Sequence, residues 1–301
     1  MSISWQGVFP AVTTKFKDDH SLDIAEMKTH FTRQIDAGVD GIITTGSLGE
    51  AGTLILEEKV EVARTAVEVS RGRVPVLATV VEANTARSVE FVKKAEAAGV
   101  DGFMILPAVP YVSDARETLT HFKAIAAAAS KPIMIYINPV AYRVDVDLDM
   151  LAELANDPKF VAIKESSDDV RRVTRTINRF GDRYRIFCGV DNLALEALFM
   201  GADGWVAGLV DAFPEETVAI YKLFRAGRFD EALKIYRWFI PLLELDVSTK
   251  LVQNIKLAEA MAGIGNERVR PPRLPLAGEE RDRVVRIIEQ ALKTRPTLPK
   301  L

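Results

Sequence analysis

The sequence predicts a (β/α)8 barrel of the TIM type with a C-terminal helical extension. Three observations predict it: eight short apolar runs, amphipathic segments between them, and a final stretch of helices with no intervening strand. The runs are Gly7–Val12, Gly41–Thr44, Pro75–Val80, Gly102–Leu106, Pro132–Tyr136, Phe160–Lys164, Arg185–Cys188 and Gly204–Ala207. Segments such as Glu57–Arg71 and Thr85–Ala98 separate them, so each strand and helix forms a parallel βαβ unit. Eight strands match a closed barrel better than an open sheet of about six.

A small repeat supports the phasing. Ala-Gly-Val-Asp-Gly occurs at Ala37–Gly41 and at Ala98–Gly102, and Gly201-Ala202-Asp203-Gly204 is a relative before the eighth strand. The first glycine of each can end a helix in a left-handed conformation before the chain turns into a strand. After the eighth strand, Pro214–Arg225, Phe229–Leu245, Thr249–Met261 and Glu279–Lys293 all read as helices. The first should close the barrel. The expected division is a catalytic barrel over 1–226 and a helical extension over 227–301, with Pro271–Pro275 as a stiff connector.

Composition narrows the function. The chain has 301 residues, 48% hydrophobic and 27% charged, which suits a large core rather than disorder. A net charge of -3 lacks the basic excess of a nucleic-acid binder. A single cysteine, Cys188, rules out an intramolecular disulfide. The N-terminus has no basic segment followed by an apolar run, and no apolar stretch has membrane-spanning length, so a cytoplasmic location is expected.

Lys164 ends a strand-sized apolar run, and alternation places it on one face with Ala162, with Val161 and Ile163 on the other. It is either a lysine reaching solvent or a nucleophile at the C-terminal face, where barrel active sites lie. Tyr136 ends the preceding strand, so the two side chains can meet at the barrel mouth, a proton shuttle beside an amine. The alternative is a tyrosine packed under a loop. The stretch 44–50 (Thr-Thr-Gly-Ser-Leu-Gly-Glu) follows strand two. Its glycines and Ser47 suit a small carboxylate, and it is neither a Walker A loop nor Gly-x-Gly-x-x-Gly. His20, His30 and His121 are scattered, and no His/Cys/carboxylate group has metal-ligand spacing. Cys188 reads as a buried strand residue, Asp168-Asp169 as helix-capping acids, and Tyr236, Trp238 and Phe239 as packing or a subunit contact.

Three motifs, in order and spacing, resemble those of the dihydrodipicolinate synthase and N-acetylneuraminate lyase superfamily. They are Gly46-Ser47-Leu48-Gly49-Glu50, Tyr136-Ile137-Asn138-Pro139 and Ile163-Lys164-Glu165-Ser166-Ser167. The resemblance runs from Gly7 to beyond Pro275 and implies a class I, Schiff-base enzyme on a barrel with a C-terminal helical extension. It implies that Lys164 attacks a 2-oxo acid or cyclic imine, that Tyr136 shuttles protons, and that Ser47, with the amides of Gly46 and Leu48, holds the substrate carboxylate. Tyr111 would act across a subunit interface, Gly189 and Asp191 would contact substrate hydroxyls, and Val206 would line the pocket floor. It further implies no metal or organic cofactor, a small-molecule substrate, and a homotetramer built from dimers.

Leu48 stands where the synthases carry a threonine of the tyrosine relay, and Ala141 where they carry an arginine that grips the second substrate. A leucine cannot pass a proton and an alanine cannot form a bidentate pair. Arg143, two residues on, is a candidate substitute. The texture of the chain is similar to the bacterial 1-pyrroline-4-hydroxy-2-carboxylate deaminases, in 5–13 (Trp-Gln-Gly-Val-Phe-Pro-Ala-Val-Thr), Gly46–Glu50, 138–142 (Asn-Pro-Val-Ala-Tyr), 203–208 (Asp-Gly-Trp-Val-Ala-Gly) and 273–276 (Arg-Leu-Pro-Leu). That resemblance implies dehydration and deamination to 2-oxoglutarate semialdehyde and ammonia. The alternatives are a 4-hydroxy-tetrahydrodipicolinate synthase, an aldolase or dehydratase of sugar-derived 2-oxo acids, a non-catalytic keto-acid sensor, and, ranked last, a phosphate-binding barrel enzyme.

Overall fold

The structure, a computed structural model, describes residues 3–108 and 110–300. Its eight strands are β1 Gly7–Pro10, β2 Ile42–Thr44, β3 Val76–Val80, β4 Gly102–Ile105, β5 Ile133–Ile137, β6 Phe160–Glu165, β7 Arg185–Cys188 and β8 Gly204–Ala207. All pair in parallel in chain order, β8 pairs with β1, and one parallel bridge between Ala11 and Ile43 joins β1 to β2. The (β/α)8 barrel is therefore as the sequence predicts. The helices between strands are α1 Ile24–Asp36, α2 Leu56–Ser70, α3 Thr85–Ala97, α4 Ala115–Ala128, α5 Pro139–Tyr142, α6 Leu148–Leu154, α7 Arg171–Phe180 and α8 Ala194–Phe199. After β8 come α9 Pro214–Arg225, α10 Phe229–Leu243, α11 Leu251–Met261 and α12 Gly278–Lys293.

Alternation along the strands divides the core in two. Phe9, Leu77, Met104, Met134, Tyr136, Ala162, Phe187 and Val206 fill the barrel interior. Ile135, Ile137 and Ile163 face outward and pack under the helices. Trp5 stacks on Phe9 and meets Phe187 edge-on among these interior residues. One expectation is corrected. The β5–β6 register shifts between Ile133, opposite Phe160, and Met134, opposite Ala162. Val161 is thus an extra residue, and it packs against the interior group rather than sharing a face with Ile163.

The repeated Gly-x-Asp motif has a structural use. Gly38, Gly99 and Gly201 all adopt positive φ, at 93°, 97° and 104°. The aspartate that follows each accepts a hydrogen bond from the start of the preceding strand. Asp40 takes the Val8 amide at 2.8 Å, Asp101 the Val76 amide at 3.0 Å, and Asp203 the Ile186 amide at 2.8 Å. Each junction therefore ends a helix and satisfies a backbone donor that the ring leaves unpaired.

The predicted extension helices lose their facing ends: α10 stops at Leu243 and α11 begins at Leu251. Residues 244–250 instead form a loop, held by Asn254, whose side-chain amide donates to the Leu245 carbonyl and the Ser248 hydroxyl, each at 2.9 Å.

The extension is keyed into the barrel by buried charges. From α11, Lys256 pairs with Glu50 at 2.5 Å and Glu259 pairs with Lys15 at 2.5 Å, all four side chains fully buried. The Thr13 hydroxyl donates to Glu259, the Arg270 amide donates to Glu50, and His30 meets Asp211 at 2.6 Å. Breaking such a pair leaves a buried charge without compensation. Lys256→Met should therefore lower stability by roughly 3–5 kcal/mol. The Lys256→Met, Glu50→Leu double variant should recover part of that loss, both read by chemical denaturation.

Candidate active site

Lys164 and Tyr136 are direct partners across β5 and β6. Both are buried, at 7% and 6% exposure. The Lys164 ammonium nitrogen lies over the Tyr136 ring, 4.2 Å from its centroid. The strand ends bring them together as predicted, although each strand runs one residue further. Asn138 caps α5 by accepting from the Ala141 amide at 2.8 Å, and its side-chain amide donates to the Tyr136 hydroxyl at 3.0 Å. The turn that ends β5 therefore also orients the phenol.

The loop after β2 closes the opposite side. Thr45 and Glu50 hold left-handed φ values of 56° and 55°, strained for residues with a Cβ. The buried Glu50–Lys256 pair holds one end of this turn. Ser47 hydrogen-bonds the Tyr142 hydroxyl, and the Tyr142 ring stands edge-on to Tyr136 at 5.8 Å. Tyr142 thus puts a hydroxyl beside Ser47 and Tyr136 where Leu48 has none. It was not singled out as a site residue, because only α5 winding back over the barrel mouth brings it there.

Gly46, Ser47, Leu48, Tyr136, Lys164, Gly189 and Val206 line one cavity of about 510 Å³ at the C-terminal face of the barrel. At Gly189 a Cβ would lie 2.5 Å from Lys164 Cε and 2.1 Å from Ser166 Oγ, so only glycine lets the lysine chain pass. Asp191 does not line the cavity. It is fully buried behind it, and its oxygens accept from Trp205 Nε1 at 2.9 Å, the Gly208 amide and the Leu209 amide at 2.7 Å. This corrects the expectation that it contacts substrate, because its acceptor sites serve the turn after β8. Tyr111 is 55% exposed and lines a separate cleft with Asn84, Glu117 and His121, so within one chain it does not reach Lys164. Arg143 is exposed and outside the cavity, whereas Ala141 lines it.

The extension contributes Asp246, Val247, Ser248, Thr249 and Leu251 to the same cavity. These residues were missed because their sequence distance from the motifs hides the contact. Asp168 also lines it, while Asp169 accepts from the Arg171 amide at the start of α7. Only the second acid of that pair serves the helix start.

Burial lowers the Lys164 amine below the ordinary lysine value, partly opposed by Asp246, Tyr142 and Asp191. Burial raises the Tyr136 phenol, partly opposed by the Asn138 hydrogen bond. Cys188 is a buried strand residue, with its thiol pushed up to about 12 by burial. The site therefore eases deprotonation of the amine beside a protonated phenol, a nucleophile with a proton donor. His30, Asp211 and Glu259, widely separated in sequence, bring ligand atoms within 4.8 Å of one another. Lys15 already supplies the cation there, at 2.5 Å from Glu259.

A family model described as the dihydrodipicolinate synthetase family matches residues 4–291. The chain belongs to this family. A 4-hydroxy-tetrahydrodipicolinate synthase from Methanosphaerula palustris is 30% identical over 277 residues, covering 90% of this chain and 93% of that protein. The crystal structure of a dihydrodipicolinate synthase from Bacillus anthracis aligns with a TM-score of 0.92 at 30% identity, covering 98% of this chain and 100% of that one. A prophage protein of the dihydrodipicolinic acid synthase family from E. coli K12, in complex with pyruvate, aligns with a TM-score of 0.90 at 25% identity, covering 96% and 99%. The protein is a Schiff-base-forming lyase of this family, whose chemistry runs through a covalent lysine imine and uses no separate cofactor. Among the described residues, no helix is long and apolar enough to cross a membrane.

Two outcomes follow from the geometry. Gly189→Ala should keep the fold, read by circular dichroism, and slow borohydride-trapped imine formation with pyruvate by about 100-fold, since it displaces the Lys164 chain. In the unsubstituted protein, the trapping rate should rise with pH through the depressed lysine pKa and level off below the range of an ordinary lysine. The reactive form is the free amine, and its share grows as pH passes that pKa.

Proposed function

We propose that the protein is a deaminase of 1-pyrroline-4-hydroxy-2-carboxylate, with Lys164 as the imine-forming residue. One observation carries the reading. Among the described residues, Lys164 is the only cationic side chain that lines the cavity, and Asp168 and Asp246 line it too. A second carboxylate substrate would need its own cation, and neither Ala141 nor the exposed Arg143 supplies one. A cavity with one nucleophilic amine and two acids suits a monocarboxylate that carries or releases an amine.

The chemistry is then as follows. Ser47 and the amides of the loop after β2 hold the carboxylate. Lys164 attacks C2 of the cyclic imine, and Tyr136 gives its proton to the ring nitrogen as that C–N bond breaks. The Tyr136 oxygen then takes a proton from C3, which the iminium acidifies. Loss of the 4-hydroxyl as water, return of protons to C3 and C4, and hydrolysis of the terminal imine release ammonia, and hydrolysis of the Lys164 imine then frees 2-oxoglutarate semialdehyde and restores the amine. Tyr142, bonded to Ser47, completes a hydroxyl chain within a single subunit. Tyr111 would enter only from a neighbour, and its exposure beside Val112, itself 52% exposed, supports a dimer-based homotetramer.

The names of the curated relatives favour a second reading, condensation of pyruvate with a carboxylate-bearing semialdehyde. The test is incubation with the pyrroline and with pyruvate, borohydride reduction, and mass spectrometry beside an ammonia assay. The expected result is an adduct on Lys164 from both ligands, ammonia from the pyrroline alone, and neither in Lys164→Ala. Faster condensation with a semialdehyde than ammonia release would replace this reading with the synthase. Tyr136→Phe should lower ammonia release by about 100-fold or more, the range of a lost general acid–base group.

A further inference from the structure

The loop between α10 and α11 places a carboxyl group over the imine-forming lysine, and nothing in the mechanism above uses it. Asp246 lines the cavity and is half-buried. Its backbone amide donates to the Leu243 carbonyl at 3.1 Å, but among the described residues no donor reaches its carboxyl oxygens. Asp191, buried behind the cavity, accepts from Trp205 and the turn after β8. The Asp246 carboxyl group is therefore open to the cavity and available to a ligand there.

The backbone makes room for this group. A Cβ at Gly208 would lie 2.5 Å from Asp246 Oδ1, so a side chain there would displace the carboxyl. Gly208 follows β8, and Gly189 follows β7. The carboxylate-holding loop follows β2, across the barrel from β6. Gly189, Gly208 and Asp246 line one cavity with Ser47 and Lys164, so a substrate held at Ser47 and bonded through C2 to Lys164 has Asp246 within the same space as its remaining carbons.

We propose that the Asp246 carboxyl is the acid that protonates the departing 4-hydroxyl of the substrate bound to Lys164, which makes it the residue that selects 4-hydroxylated substrates. This rests on the deaminase reading. After the C3 proton has left, the enamine electron pair forms the C3=C4 double bond, the C4–O bond breaks, and the oxygen leaves as water with the Asp246 proton. The carboxylate so formed takes a proton from C5, which restores the acid and moves unsaturation toward the nitrogen. Tyr136 returns its proton to C3 and water protonates C4, which leaves an imine at C5. Water hydrolyses it to aldehyde and ammonia, and hydrolysis of the Lys164 imine frees the 2-oxo acid and restores the amine. No oxidant or reductant enters. Burial, then Asp191, raises the Asp246 carboxyl well above the ordinary range, and Lys164 partly opposes this, so the acid form is present for donation. Lys164 and Asp191 are the charged groups that face it.

The experiment compares Asp246→Asn with the unsubstituted protein in three readouts. Pyruvate should still be trapped on Lys164, because imine formation needs no leaving group. Ammonia release from the pyrroline should fall by about 100-fold or more. Borohydride should then trap an adduct heavier by one water, with the hydroxyl still attached. Gly208→Ala, which displaces the carboxyl without removing it, should show the same pattern and covers the case in which Asp246→Asn fails to fold. Ammonia release unchanged in both variants would overturn the assignment of Asp246 and leave the deaminase reading intact. An unsubstituted protein that traps pyruvate but releases no ammonia would overturn both. Loss of pyruvate trapping in step with ammonia release, in folded variants, would reduce Asp246 to a residue that positions Lys164.

Discussion

The structure depends on the buried ionic seam between α11 and the barrel. Lys256 and Glu259, three residues apart on one helix, reach the turn after β2 and the segment after β1 respectively. Asp211, after β8, and His30, on α1, join the same cluster. Burial, with Lys15 next, holds the His30 imidazole well below its ordinary pKa, so it meets the seam as a neutral hydrogen-bonding ring. Fully buried pairs are weak evidence for added stability, because desolvation offsets much of the attraction. Their geometric demand is strict, however. Each charge must find its one partner, so the extension can dock in only one register. That register brings the loop 244–250 to the cavity and holds Glu50 at the end of the turn after β2.

The lysine chemistry follows from the same arrangement. An amine in water is protonated at neutral pH and cannot attack a carbonyl carbon. Closing the barrel mouth with the extension removes water from Lys164 and lowers the cost of the neutral form. The nearby acids pull in the other direction, but burial raises both the Asp246 and the Asp191 carboxyls, and Asp191 also accepts from backbone amides. Two carboxyl groups beside one lysine therefore need not make an inert ion pair. Their environments differ: Asp191 accepts from Trp205 and the turn after β8, whereas Asp246 faces the cavity.

The barrel was legible in the sequence because its signals are local. Alternation, strand-sized runs and the repeated Gly-x-Asp junction each lie within a few residues, and the observed strands match the expected ones to within two residues. The Lys164, Tyr136 and Ser47 set was legible for the same reason, since each sits at the end of a strand and the ring of strands brings such ends together. Tyr142 and Asp246 were not, because a tertiary turn and a helical extension deliver them. Asp191 was placed on the right loop but facing the wrong way, since sequence does not show that the turn after β8 needs an acceptor. The domain boundary drawn at 226 also hides the main point, that the helices beyond it complete the site.

This division of labour explains how one frame can hold different reactions. The imine-forming pair is borne by strands β5 and β6, whose register is set by the whole ring and cannot shift without disturbing the core. Further residues that line the cavity lie on the loops after β5 and between α10 and α11, where a change of side chain leaves the barrel unaltered. Exchanging an arginine for Ala141 would supply a grip for a second carboxylate, and exchanging Asp246 would remove an acid. Neither touches the amine or the phenol. Family membership therefore identifies the imine chemistry, carried by the strands, and leaves the substrate to the loop residues that line the cavity.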